Sequence, residues 1–224
     1  MSIFYVFKRP EVSDRDDADT EVWHTDAMRG EAPVCPVCKE PLGSLRLLPP
    51  IYMTLELLGH YFGDVVFVGG SSQLLFSARL QQHFVRHQFV GLSDFVPVTI
   101  SDVRSKKRKL KGECPIYYLS SVSWGHVTVD TKSSEFEWET GPECPECRRG
   151  NLIKRWSRIV IEPGTWTGED IFRPRNLPGT ILVTARFRDM YQDYGFRNGV
   201  FLPASEYSHD FYPWEKEKIP VSHN

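Results

Sequence analysis

Two short stretches constrain this chain more than any other feature: Cys35-Pro36-Val37-Cys38 and Cys144-Pro145-Glu146-Cys147. Together they use four of the five cysteines, and each places a proline directly after its first cysteine. A Cys-Pro-x-Cys turn points two thiols at one place. Two such turns facing each other supply four sulfurs at the corners of a tetrahedron, the geometry of a structural zinc site. The 105 residues between Cys38 and Cys144 far exceed the loop of a small zinc finger. A shared metal would therefore clip together two distant halves of a larger fold.

Three readings of these cysteines stand side by side. Structural Zn²⁺ held by Cys35, Cys38, Cys144 and Cys147 leads, because thiolates are soft ligands and four of them close the site. A redox dithiol needs its Cys-x-x-Cys at a helix N-terminus, where the dipole lowers one thiol pKa. Pro41 and Gly43 after the first knuckle, and Arg148-Arg149-Gly150 after the second, do not start a helix. Reduced thiols without metal are the third reading. In the usual metal knuckle a glycine follows the second cysteine, since a positive φ there lets backbone N–H groups reach the sulfurs. Here that position holds Lys39 and Arg148. Cys114 has no partner cysteine and reads as a small buried residue.

At 224 residues the chain is long enough for one large core or two small ones. Its net charge of −2 gives no whole-molecule attraction to nucleic acid or anionic membrane. The apolar start Ile3 to Phe7 is too short for a signal peptide, and no apolar run approaches a membrane span. The expected compartment is the cytoplasm, where paired cysteines are more often ligands or redox groups than disulfides.

Ile3 to Phe7 reads as a buried strand. Residues 11 to 21 form an acidic loop, and Pro49-Pro50 marks a turn. Val65 to Val68 is a strand. Gly69 to Ser72 is a turn whose Ser71 or Ser72 caps a helix running to about residue 89. Gly91 stops it, and Phe95 to Ile100 is a strand. Ile116 to Leu119, Trp124 to Val129, a segment around Ile153 to Ile161 and Val200 to Pro203 are further strands. An irregular arm follows from Tyr207.

The second half repeats the first. Gly63-Asp64-Val65-Val66-Phe67 overlays Gly168-Glu169-Asp170-Ile171-Phe172, and Leu74 to Leu80 overlays Ile181 to Phe187, at offsets of 105 to 107 residues. The two knuckles are 109 apart. The expected fold is therefore α+β and internally duplicated, knuckle, strand, helix, strand occurring twice. Residues 1–110 form one half and 111–224 the other, joined by the Cys₄ zinc site into one globular unit with the halves about a pseudo-two-fold axis.

Catalytic motifs are missing. His83 and His87 are one helical turn apart but lack the glutamate of a zinc protease, and read as an exposed helix face. Gly69-Gly70 lacks the lysine of a phosphate loop, and there is no nucleophile elbow. The weight falls on a binding protein. Arg104 to Lys111 is strongly basic and suits phosphate contacts, or is a solvated loop. Its sequence neighbours lack stacking aromatics.

The paired knuckles, with Ile171-Phe172-Arg173-Pro174-Arg175-Asn176-Leu177-Pro178-Gly179, Thr184-Ala185-Arg186-Phe187 and Phe201-Leu202-Pro203-Ala204-Ser205-Glu206-Tyr207, resemble the double-CXXCG motif family, expanded as paralogues in myxobacteria. The resemblance covers residues 33 to 207. It implies no enzymatic role. Its members act as immunity proteins of polymorphic toxin systems, binding a cognate toxin that is often a nuclease. A nuclease presents a cationic surface, so an inhibitor needs anionic groups. Asp16, Asp17 and Asp19 of the acidic loop and Glu135, Glu137 and Glu139 near the second knuckle are the candidate partner contacts. Trp138 and Trp124 are candidate aromatic anchors, and Trp124 reads equally well as core. The alternative is a zinc-stabilised nucleic-acid-binding module using residues 104–111.

Overall fold

Continuous apolar runs, rather than helical periodicity, decide the structure around both helices. The computed structural model describes residues 4–11, 18–69, 72–105, 110–148 and 150–213. Gln73–Ser77 is buried at every position and forms a strand, so the helix starts later than the sequence pattern suggests. It spans Ala78–Arg86 (α1), and its cap is Ser77, whose Oγ accepts from Leu80 N at 3.2 Å. Ser72 precedes the strand and Ser71 lies outside the described residues. In the second half Leu182–Thr184 is likewise a buried strand. Thr184 caps the helix Ala185–Asp193 (α2) by accepting from Phe187 N at 3.3 Å.

The fold is α+β and mostly sheet. The first half contains β1 (Phe4–Lys8), β2 (Thr20–Arg29), β3 (Leu47–Leu57), β4 (Val65–Phe67), β5 (Gln73–Ser77), α1 and β6 (Val96–Ser105). The second contains β7 (Tyr117–Ser121), β8 (Trp124–Thr128), β9 (Glu137–Pro142), β10 (Gly150–Trp156), β11 (Ile171–Arg175), β12 (Leu182–Thr184), α2, β13 (Val200–Pro203) and β14 (His209–Asp210). A six-stranded sheet runs β2-β3-β6-β7-β5-β4, and a five-stranded sheet runs β13-β1-β12-β11-β8. The arm after Tyr207 is not wholly irregular, since β14 completes a third sheet, β14-β10-β9.

The two large sheets exchange strands. β1, from the chain's beginning, lies between β12 and β13. β7, which follows residue 110, lies between β5 and β6. Pro49 and Pro50 do not turn the chain but sit exposed within β3. They fall at the irregularity between Asp26 and Met28 on β2, before the β6 pairing starts at Tyr52. Missing N–H groups are tolerated at such a place.

Two buried aspartates join the halves. Asp64 Oδ1 accepts from Ser77 Oγ at 2.8 Å and its Oδ2 from Arg79 Nη2 at 2.7 Å. Its backbone N–H donates to Arg197 O, and Arg197 N–H returns a bond to Oδ2. Asp170 repeats the pattern with Thr184, Arg186 and the backbone of Val90. Arg79 crosses to the carbonyl of Tyr194 and covers the Phe196 ring, while Arg186 crosses to the carbonyl of His87 and covers Phe89. Asp170, rather than the Glu169 that the sequence overlay sets against Asp64, makes the contacts that resemble those of Asp64. Gly91 closes the arrangement at φ 113°, where a Cβ would meet Ile171 O at 1.8 Å.

Residues of both halves fill one aromatic core: Phe76, Phe84 and Phe89 with Phe187, Tyr191 and Phe196, plus Phe7 from β1. His83 and His87 are half-buried rather than an exposed face, with Tyr194 4.0 Å from the His83 ring. Burial, with Arg86 nearby, lowers the His83 pKa. Among the described residues no helix is long and apolar enough to cross a membrane.

Replacing Asp64 or Asp170 by Ala should remove several bonds at once and strand buried donors. The expected loss is about 2–3 kcal/mol, read as a lower urea midpoint. An unchanged midpoint would show that these carboxylates do not hold the halves together.

Candidate metal centre

Each knuckle occupies the end of an antiparallel hairpin. The β2–β3 ladder closes at Arg29 and Leu47, and the first knuckle lies in the loop beyond. The β9–β10 ladder closes at Pro142 and Gly150, leaving the second knuckle as its tip. Local bonds shape both turns alike: Lys39 N–H donates to Cys35 O at 3.0 Å and Arg148 N–H to Cys144 O at 2.9 Å. Lys39 has φ 63° and Arg148 φ 50°. The left-handed conformation that a knuckle wants from glycine is therefore present without glycine. Such a backbone costs an L-residue about 1–2 kcal/mol.

The two hairpin tips meet. Cys35 Sγ lies 3.8 Å from Cys144 Sγ, and Cys38 Sγ 3.7 Å from Cys147 Sγ. All four sulfurs lie within 4.8 Å of one another. A tetrahedron with metal–sulfur bonds of about 2.3 Å has edges of about 3.8 Å, so the observed spacing fits one ion. Cys35, Cys144 and Cys147 are buried and Cys38 is exposed. None of the five cysteines is in a disulfide. The cluster can hold a metal ion.

Backbone N–H groups favour the ligating form. Those of Cys147 and Glu146 bring the Cys144 thiol down to about 6 against the effect of burial. For Cys35 burial acts upward, but the N–H groups of Cys38 and Val37 outweigh it and the net shift is down. Leu42 and Trp124 pack against the cysteines, so Trp124 belongs to the wall of this site. Arg175 stacks over Trp124 and donates to Glu146 Oε1 at 2.6 Å, tying β11 to the second knuckle. Arg173 donates to Leu42 O at 2.9 Å, tying the same strand to the first. Their spacing of two residues on a strand puts both on one face. That period was visible in Phe172-Arg173-Pro174-Arg175 and was the signal for their role.

The candidate partner contacts scatter. Asp16 and Asp17 lie outside the described residues. Asp19 is 1% exposed with Arg9 3.6 Å away, so it faces the interior. Glu135 is not on the strand: it occupies the preceding turn at φ 56°, bound to Ser157 and Arg158. Glu137 and Glu139 are exposed on β9, with Glu137 3.0 Å from Arg155 Nε. Trp138 is half-buried against Phe136. Cys114 is exposed rather than buried and lies apart from the four-sulfur cluster. The basic run is described only at Arg104, Ser105, Leu110 and Lys111.

Replacing Cys35 or Cys144 by Ser should abolish stoichiometric metal binding, measured by elemental analysis of the purified protein. Metal should be retained at mildly alkaline pH and lost on acidification, because protons compete with the ion for the four thiolates. Lys39→Gly should relieve the left-handed strain and raise the stability of the metal-loaded protein by up to about 1 kcal/mol. No protein-family model matches this chain, and no curated protein is significantly similar to it.

Proposed function

We propose that this protein is a cytoplasmic immunity protein that binds and neutralises a cognate toxin, a nuclease. In this reading it is an internal duplication whose halves are clipped by one structural Zn²⁺ on Cys35, Cys38, Cys144 and Cys147. The resemblance of the knuckles and of the segments around Arg173 and Phe201 supplies the class of function. The observation that carries the binding surface is strand β9. It lies at the edge of its sheet, with Glu137 and Glu139 exposed on either side of Trp138, and runs directly into the second knuckle. Two carboxylates on a rigid strand suit the cationic face of a nuclease, and complementary charge speeds encounter. Trp138 offers an aromatic anchor between them. The metal keeps the hairpin that bears them in place.

The nucleic-acid reading gains one observation. Arg104 lies over the ring of Trp23, 4.6 Å from its centroid, and Trp23 is 55% exposed. The stacking aromatic missing from the sequence flanks is supplied across the sheet by β2.

If a neighbouring gene encodes a toxin, co-expression of the two should restore growth, and failure to do so would refute the immunity reading for that pair. The pair Glu137→Lys and Glu139→Lys should slow association with the toxin about tenfold at low salt. Tight, salt-dependent binding to random-sequence oligonucleotides, lost on Trp23→Ala, would favour the second reading instead.

A further inference from the structure

A cleft of about 740 Å³ opens between the first knuckle, β1, β4 and β11, and Arg173 forms part of its wall. Arg173 is only 5% exposed, yet no carboxylate of the described residues pairs with it. Its Nε donates to Val122 O at 3.3 Å, and its Nη1 to Leu42 O at 2.9 Å and Pro178 O at 3.4 Å. Nη2 has no acceptor among the described residues. Burial lowers its pKa to about 10, which leaves it charged at neutral pH. Buried charges are ordinarily paired, so this one calls for an anion.

Two details mark the place as built for a ligand. The residue three beyond Asp64 is Phe67, whereas the residue three beyond Asp170 is Arg173. Both residues line the cleft, and only the one beyond Asp170 carries a charge. Gly43 also leaves an approach open: a Cβ there would stand 3.2 Å from Ser72 Oγ and 3.3 Å from Arg173 Nη2. The remaining wall includes Leu42, Phe67, Ile181, Trp124 and Cys147, and of the cations at the rim Lys8 is paired with Glu11 and Arg9 with Glu21.

We propose that this cleft binds a small organic carboxylate, its anionic group received by Arg173 Nη2 and Ser72 Oγ and its apolar body against Leu42, Phe67 and Ile181. The site is separate from β9 and does not depend on the toxin reading. A guanidinium that already holds three carbonyls is fixed in place, so binding it costs little side-chain ordering. A charge-assisted hydrogen bond inside a protein discriminates strongly between an anion and its neutral isostere.

The test is calorimetric titration of the metal-loaded full chain with phenylacetate, phenylacetamide, inorganic phosphate, and a short alanine peptide with a free or amidated C-terminus. Phenylacetate should bind about tenfold or more tightly than phenylacetamide. Gly43→Ala should weaken phenylacetate about tenfold, because its Cβ would stand against Ser72 Oγ and Arg173 Nη2, with the thermal midpoint measured alongside to show that the variant stays folded. Ser72→Ala should weaken it less. Preference for the free-ended peptide over phenylacetate would assign the same chemistry to a protein terminus instead of a small molecule. The proposal is overturned if acid and amide bind alike, if phosphate binds as tightly as phenylacetate, or if Gly43→Ala has no effect. It also fails if nothing binds and Arg173→Gln merely loosens the metal, for then Arg173 is only a counter-charge to the thiolates.

Discussion

The aspartates Asp64 and Asp170 are the constraint on which the rest of the structure depends. Each sits just before a strand, receives the hydroxyl that caps the following helix, and grips the loop after the helix of the other half. One carboxylate thereby sets three things: where the helix begins, how the strand enters it, and where the opposite half docks. The arginines Arg79 and Arg186 complete the crossing by reaching the far helix's last carbonyls. Burying these carboxylates is tolerable because each is saturated with donors. Strand exchange by β1 and β7 then makes separation of the halves a matter of breaking sheets rather than parting surfaces.

The cysteine cluster adds a second fastening. Hairpin tips are the parts of a sheet least held by packing, and here two of them carry the sulfurs. A metal at their meeting point would convert two loose ends into one fixed corner, and its binding energy becomes folding energy. Arg173 and Arg175 extend that corner into β11, one to each knuckle. β9 leaves that corner with its acidic residues, and the cleft at Arg173 lies against it. Immunity by β9 and carboxylate binding by the cleft would both depend on the same fastening while using different residues.

The cysteine quartet was legible because the ligand spacing is local and its chemistry narrow. Lys39 and Arg148 were not legible as knuckle residues, since a left-handed φ in an L-residue is imposed by the turn's own hydrogen bonds. The helix starts were misplaced for a related reason. Leu74, Leu75 and Phe76 match a helical period and an extended run equally well, and only the flanking strands β4 and β7 make them a strand. Asp19 looked like part of an acidic surface because its neighbours in sequence are acidic, whereas in space it faces Arg9.

By itself the sequence determined the α+β class, about half of the strands, and the identity of four thiols able to share an ion, because these follow from short-range pattern and side-chain chemistry. Only the tertiary structure decided that the thiols meet, that Asp64 answers Asp170, and that β1 and β7 change places. It also decided that Arg173 is buried without a carboxylate. Each of these joins residues far apart in the chain, and nothing in local composition records which distant partner will supply the missing bond.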